Sequence, residues 1–121
     1  MLQTLWSGMQ CGKHHGRGIK ARDKCQHDDA LKHFKAGLKC AELTGNEGTI
    51  AFEMECIART YEDLGKVSEA KEFAEKCLAL YNKLLSADKE DCISARVSGV
   101  QDLLLRLQDQ SPTHGQVPIA P

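Results

Sequence analysis

The sequence predicts an all-α protein of about four to five helices arranged as antiparallel helix hairpins. The strong helix formers Ala, Leu, Glu and Lys dominate the middle of the chain, and aromatic residues make up only 5% of it. Apolar residues recur at helical spacing without interruption from residue 27 to residue 108. Connections of roughly two to five residues separate the periodic stretches, so consecutive helices must run antiparallel.

The first two helices are marked by residues that begin and end helices. The first is expected to begin at Asp28 as its N-cap and to end before Gly45. The second is expected to run from near Asn46 or Gly48 to Leu64, because the glycine that follows can adopt the left-handed conformation that ends a helix. Both helices carry an apolar stripe on one face, as packing against a core requires.

The third and fourth helices carry most of the leucines. The third is expected to begin near Ser68, and its apolar stripe is wide enough to contact two neighbouring helices. The fourth is expected to begin near Asp88 and to end in a leucine-rich segment, residues 103–107. The four leucines of that segment are too many for one helix face, so we expect some of them to stay exposed unless another chain covers them.

Composition divides the chain into three parts. Residues 1–26 form a basic segment rich in Gly and His with poor periodicity, which we expect to be poorly ordered or a degenerate helix. Residues 27–108 form the predicted helical domain. Residues 109–121 contain all three prolines of the chain and are expected to be a disordered C-terminal tail.

Charge and cysteine content restrict the classes of function. The formal net charge is −1, so no overall field favours nucleic acid or an anionic membrane as a partner. No apolar run approaches membrane-spanning length. Most of the six cysteines fall within helix-like segments and no secretory signal precedes them, which favours reduced thiols. We therefore expect a cytoplasmic protein, with association with the cytoskeleton as a narrower option.

No sequence pattern indicates an enzyme or a nucleotide site. A Cys or Ser nucleophile needs a placed His and an orienting carboxylate. Every His lies in the N-terminal third or in the C-terminal tail, whereas most cysteines lie on apolar stripes. Neither a P-loop nor a Rossmann pattern is present. We therefore expect no catalytic residue and no cofactor.

The segment from Ala58 to Ala70 has a spacing typical of a helix-hairpin repeat. The first alanine is followed by Tyr61, by the pair Leu64-Gly65 and then by the second alanine. Small residues let two helices approach closely, the tyrosine wedges between hairpins and the glycine makes the turn. The segment resembles the core of the tetratricopeptide repeat (TPR), and the resemblance implies that the hairpins stack as a short TPR-like α-solenoid of about four to five helices. A generic antiparallel helix bundle is the alternative fold that helical hairpins alone leave open.

A shift of the sequence by 40 residues aligns small residues with small ones, as Ala70 with Ala30, and leucine with leucine, as Leu78 with Leu38. This period is longer than the usual ~34 residues of the family. It is similar to the extended subtype of the G-protein-signalling-modulator and rapsyn-like arrays. The resemblance implies that the repeat-defining structural residues are Ala30, Phe34, Ala58, Tyr61, Leu64, Gly65, Ala70 and Leu78.

The resemblance also implies a noncatalytic protein–protein interaction adaptor or scaffold. In tetratricopeptide arrays the first helix of each hairpin lines a groove for a partner peptide or another repeat protein. The implied groove is mildly acidic, which suits a peptide with basic residues. The carboxylate clamp of the family is not matched, because Glu55 and Arg59 occupy its positions. The implied groove residues are Phe52, Glu55, Arg59, Glu62, Ala95, Gly99 and Asp102.

Two alternatives stay open at this point. The first is a small zinc-binding module, because Cys11, His14, Cys25 and His27 offer the thiolate and imidazole ligands that zinc prefers. The Gly-rich, basic loop between these pairs fits a frayed segment equally well. The second is a truncated repeat fragment that acts only by assembly, including self-association through the leucine-rich C-terminal helix, because at least three stacked repeats are usually needed for stability.

Overall fold

The computed structural model describes residues 2–88 and 91–109, with side chains over residues 12–86 and 93–109. Within these residues the chain is all-helical, and its five helices pack against one another as antiparallel hairpins, which confirms the predicted fold class. The predicted C-terminal tail lies outside the described residues, apart from Asp109 at the end of the last helix. The helices are α1 (Leu2–Asp23), α2 (His27–Thr44), α3 (Glu47–Asp63), α4 (Val67–Asp88) and α5 (Asp91–Asp109).

The helix starts agree with the sequence interpretation in part. Asn46 is the N-cap of α3, and its side-chain Oδ1 accepts a hydrogen bond from the Thr49 N–H at 3.1 Å. The prediction of Asp28 as the N-cap of α2 is wrong, because Gln26 holds that position and makes no side-chain capping bond. Asp28 lies in the first turn instead, where its carboxylate faces the positive end of the helix dipole. The last helix begins at Asp91 rather than near Asp88.

The N-terminal segment forms α1, which packs along α2. The contact is close because Gly18 has no side chain: a Cβ there would lie 2.6 Å from Cε1 of the fully buried Phe34. Ala21, also buried, extends the same contact. A helix that docks through a glycine and an alanine shows little hydrophobic periodicity, which is why the sequence pattern of residues 1–26 is weak.

The 40-residue period is present in the burial pattern of the second helix of each hairpin. Helices α2 and α4 each turn four residues into the core at the same spacing. All eight are buried, and each pair is separated by 40 positions in the chain. These pairs are Ala30 and Ala70, Phe34 and Ala74, Gly37 and Cys77, and Ala41 and Tyr81.

The turn within each hairpin repeats as well. In the first turn, the Gln26 N–H donates to the Ala21 carbonyl at 2.8 Å. In the second turn, 40 residues later, the Lys66 N–H donates to the Tyr61 carbonyl at 2.9 Å. The two turns therefore share one backbone geometry, and α1–α2 and α3–α4 are copies of one structural unit.

Helix α3 is the centre of the arrangement. It packs against α2, α4 and α5, and side chains of α1 reach it through Arg22, whose Nε donates to Oδ2 of Asp63 at 2.7 Å. Because neighbours surround it, eight of its 17 residues are buried, against four of 18 in α2. His15 of α1 and Arg96 of α5 therefore both contact the same side chain of α3, that of Phe52.

The leucine-rich end of α5 is mostly packed. Leu103 and Leu107 are fully buried, and Leu104 is partly buried against the core. Leu105 points outward and is 61% exposed.

Among the described residues, no helix is both long and apolar enough to cross a membrane.

The substitution Gly18→Ala should weaken the docking of α1. Alanine normally stabilises a helix by ~1 kcal/mol over glycine, but here its Cβ would clash with the Phe34 ring, and overpacking of this kind costs about 1–3 kcal/mol. We therefore expect a net loss in the free energy of unfolding, measured by urea denaturation. Gly16→Ala is the matched control, because nothing lies within 4 Å of a Cβ at that position of the same helix. Equal stabilisation by both substitutions would show that α1 does not dock on Phe34.

The substitution Cys25→Gly should stabilise the chain. Cys25 has φ of 60°, in the left-handed region, and Gly65 stands at the equivalent position of the second turn with φ of 76°. A residue with a side chain costs on the order of 1 kcal/mol in this conformation relative to glycine. We expect a higher midpoint of thermal unfolding for Cys25→Gly, and a lower one for Gly65→Ala. A fall in the midpoint on Cys25→Gly would contradict the shared turn geometry.

Candidate functional site

Glu55 of α3 is a buried carboxylate that receives donors from three helices. It is 6% exposed. The hydroxyl of Tyr81 on α4 donates to its Oε1 at 2.9 Å, and Nε of Arg59 donates to its Oε2 at 3.0 Å. Nη1 of Arg96 on α5 lies 3.4 Å from Oε1. Since a buried charge is stable only when it is paired, these three partners are what allow a carboxylate at this depth.

Tyr81 is the most deeply placed of these partners. It is 2% exposed, and burial together with the neighbouring carboxylate raises the pKa of its hydroxyl well above the usual range. The hydroxyl therefore stays protonated and remains a donor to Glu55. Its role is to hold the carboxylate in place, because it lies below the surface where the two arginines emerge.

The ring of Phe52 joins three helices next to this carboxylate. The guanidinium of Arg96 lies over the ring at 4.2 Å from its centroid, a distance at which a cation–π interaction is favourable. The imidazole of His15 on α1 packs at 4.8 Å between ring centroids with a 40° tilt. Arg96 is therefore held twice, by an ion pair with Glu55 and by the ring of Phe52.

A cleft of about 390 Å³ opens between α3 and α5 at the two arginines. Gly99 gives the cleft its depth, because a Cβ there would lie 3.3 Å from Nη2 of Arg59, closer than most Cβ contacts. Glu55, Arg59, Ala95 and Gly99 are four of the seven residues that the sequence analysis placed in a groove. The lining consists of Glu55, Arg59, Ala95, Arg96 and Gly99.

The other three predicted groove residues do not line the cleft. Phe52 lies beside it, under Arg96. Glu62 is half-buried and forms a two-pronged ion pair with Arg106 of α5, at 3.0 and 3.1 Å. Asp102 is exposed on α5.

Arg96 is the cleft residue that the sequence analysis missed. The repeat alignment places it one position away from the expected groove stripe, next to Ala95. Its position is nevertheless readable as three residues before Gly99, on the same face of α5. The sequence feature that indicates a cleft residue here is a basic side chain, Arg96, one helical turn from the glycine of α5.

The charge of the cleft differs from the sequence expectation. Formal charges predicted a mildly acidic groove, with Glu55 and Glu62 as its acidic members. In the structure Glu55 is buried and paired with two guanidinium groups, and Glu62 is paired with Arg106. Two cations therefore share one carboxylate at the cleft, which leaves a local excess of positive charge.

The predicted zinc ligands of the N-terminal segment are not brought together. His14, Cys25 and His27 form no group of metal ligands among the residues with described side chains. The side chain of Cys11 lies outside the described residues. The structure brings a different set together, which contains His15, Glu53 and Cys56.

The eight residues that the resemblance implies as repeat-defining lie in α2, in α3, in α4 and in the turn between α3 and α4. Tyr61 is nearly buried and packs at 5.9 Å between ring centroids against Phe73 of α4. Gly65 has the left-handed conformation that the turn needs, and Leu64 and Leu78 are half-buried. The four fully buried members of the set are Ala30, Phe34, Ala58 and Ala70.

Comparisons with protein-family models, with curated proteins and with solved structures found no match for this chain. The interpretation of the cleft therefore depends on its own geometry and charges.

The substitution Tyr81→Phe should destabilise the chain, because it removes a hydrogen bond to a buried carboxylate. Loss of one partner of a buried charged group costs about 1–3 kcal/mol. We expect a decrease of this size in the free energy of unfolding, measured by urea denaturation. Tyr61→Phe is the matched control, because its hydroxyl has no hydrogen-bond partner among the described residues. A change below ~0.5 kcal/mol on Tyr81→Phe would show that the arginines alone stabilise Glu55.

Proposed function

We propose that this chain is a noncatalytic protein–protein interaction adaptor, and that the cleft between α3 and α5 binds a peptide segment of its partner. The observation that carries the proposal is the pair of arginines held over a floor of small residues. Arg59 and Arg96 keep 25% and 43% of their side chains exposed, so both can reach a ligand. Gly99 leaves room for the Arg59 guanidinium against α5, and Ala95 adds only a small side chain to the cleft lining.

The arginines are fixed before any ligand arrives, which favours binding. Glu55 holds both guanidinium groups, and the Phe52 ring holds that of Arg96. A side chain that is already ordered loses less entropy when a ligand binds it. The planar guanidinium also matches a carboxylate with two parallel hydrogen bonds. The arrangement is therefore suited to one acidic group placed between the two arginines.

The partner chemistry that follows is a peptide with a carboxylate at the cleft. The sequence analysis expected basic residues in the partner, because it counted Glu55 as an exposed acidic group. Since that carboxylate is paired within the chain, a basic side chain would meet two guanidinium groups there. We therefore propose an acidic residue at the cleft, and basic residues of the peptide only outside it.

Membership of the tetratricopeptide family fits this proposal. The hairpins α1–α2 and α3–α4 share their turn geometry and burial pattern at a spacing of 40 residues. The cleft lies between α3 and α5, the first helices of the second and third units, which is where the family binds its peptides. We propose that the chain is a short array of the extended, 40-residue subtype.

A noncatalytic role and a cytoplasmic location fit the state of the cysteines. Burial raises the pKa of Cys56 and of Cys77 to about 12, so neither thiol is a nucleophile at neutral pH. The cysteines with described side chains, Cys25, Cys40, Cys56 and Cys77, are all free thiols, as expected in a reducing compartment. Association with the cytoskeleton stays a prediction.

The substitution Arg59→Glu tests the cleft. Random twelve-residue peptides displayed on phage would be selected against the full chain, and the peptides recovered would be measured by fluorescence polarisation. We expect selected sequences to share an acidic residue, and we expect Arg59→Glu to weaken their binding by more than about tenfold, because a carboxylate would then face a carboxylate. Arg96→Glu should act in the same direction.

Lys39→Glu is the control for this experiment, because it makes the same charge reversal at an exposed position of α2, outside the cleft. Circular dichroism would establish that each variant keeps its helix content. Equal binding to wild-type and Arg59→Glu would overturn the assignment of the cleft. A chain that selects no peptide, and that elutes as a dimer unless Leu105 is replaced by Lys, would favour action by assembly.

A further inference from the structure

His15, Glu53 and Cys56 place one nitrogen, one oxygen and one sulfur ligand within 4.8 Å of one another. Glu53 and Cys56 are three residues apart on α3 and share one face of that helix. His15 reaches them from α1, with Nδ1 at 3.1 Å from Oε2 of Glu53. Donors from two helices thus converge on one point between them.

Glu53 is the less compensated of the two buried carboxylates of α3. It is 2% exposed, and among the residues with described side chains His15 is the only donor to its carboxylate. Its other close neighbour is Gly37 of α2, where a Cβ would come within 3.2 Å of the carboxyl carbon. A buried carboxylate with a single imidazole partner is poorly compensated, in contrast to Glu55, which has three donors.

We propose that His15, Glu53 and Cys56 bind one zinc ion between α1 and α3. Imidazole nitrogen, carboxylate oxygen and thiolate sulfur are the three ligand types that zinc accepts together, whereas calcium and magnesium require oxygen alone. A dication balances the carboxylate of Glu53 and the thiolate of Cys56, so the buried site becomes neutral. Binding releases the thiol proton to solvent.

The dimensions of the cluster are close to those of a tetrahedral site. Ligands at about 2.0–2.3 Å from zinc lie about 3.3–3.8 Å from one another. Nδ1 of His15 lies 3.3 Å from Oε1 of Glu53, at the short end of this range. The three ligand atoms all lie within 4.8 Å of one another. His15 is 25% exposed, so an ion can enter beside it and a water molecule can fill the fourth position.

Metal titration of the full chain tests the proposal. The chain would be treated with a chelator under a phosphine reductant, and zinc would then be added in a calorimeter. We expect one ion per chain. We expect Cys56→Ala and Glu53→Gln each to weaken binding by more than about tenfold. Cobalt added in place of zinc should give a sulfur-to-metal charge-transfer band that is absent from Cys56→Ala.

Control variants separate this site from other thiols. Cys40→Ala removes a half-buried thiol of α2 that is outside the cluster and should leave affinity unchanged. Cys25→Ala tests the N-terminal set, so a loss of binding in that variant and not in Cys56→Ala would overturn the proposal. A second measurement guards against misfolding: zinc should raise the thermal midpoint of wild-type and of Cys40→Ala but not of Cys56→Ala. A wild-type chain that binds no zinc would leave His15 and Glu53 as a hydrogen-bonded pair and would overturn the site, without affecting the peptide cleft.

Discussion

The packing of this chain depends on two carboxylates that lie inside the helix stack, both on α3. Glu53 is 2% and Glu55 is 6% exposed, and a charge removed from water costs several kcal/mol unless it is compensated. The compensation comes from other helices: His15 of α1 faces Glu53, while Tyr81 of α4 and Arg96 of α5 face Glu55. Contacts between small apolar residues are compatible with many relative positions of two helices. The buried charges are not, since a slip of α1, α4 or α5 would remove a partner from one of the two carboxylates.

The cleft exists because the repeat is not perfect. Forty residues after Glu55 and Arg59, the chain has Ala95 and Gly99 at the equivalent positions of α5. Helix α5 therefore presents small side chains where α3 presents an ion pair. A long side chain at position 99 would occupy the space into which Arg59 extends, as the 3.3 Å distance from a Cβ to its Nη2 indicates. The helices α3 and α5 thus repeat in backbone and differ in side chains, and this difference produces the cleft.

Much of this fold could be predicted from the sequence. The order of α1 and the charge of the cleft could not, and each has a physical reason. Helices α2 to α5 have apolar stripes, and Asn46, Gly45 and Gly65 are local signals that need no tertiary information. The order of α1 could not be read, because it docks through Gly18, whose contribution is the absence of a side chain. The charge of the cleft could not be read either, because burial and pairing of Glu55 depend on residues 26 and 41 positions away in the chain. Sequence periodicity reports which face of a helix is apolar, and long-range pairing of a polar residue leaves no trace in it.

The ring of Phe52 contacts one partner of each buried carboxylate. His15 packs on it from α1, and the Arg96 guanidinium lies over it from α5. The position of α1 therefore restricts the ring, and the ring restricts one of the two arginines of the cleft. Any change in how His15 is held must act on the same ring. The position of Arg96 at the cleft therefore depends on the N-terminal helix, although that helix contributes no residue to the cleft lining. A chain without α1 would keep both arginines but would lose the contact that fixes the ring beneath one of them.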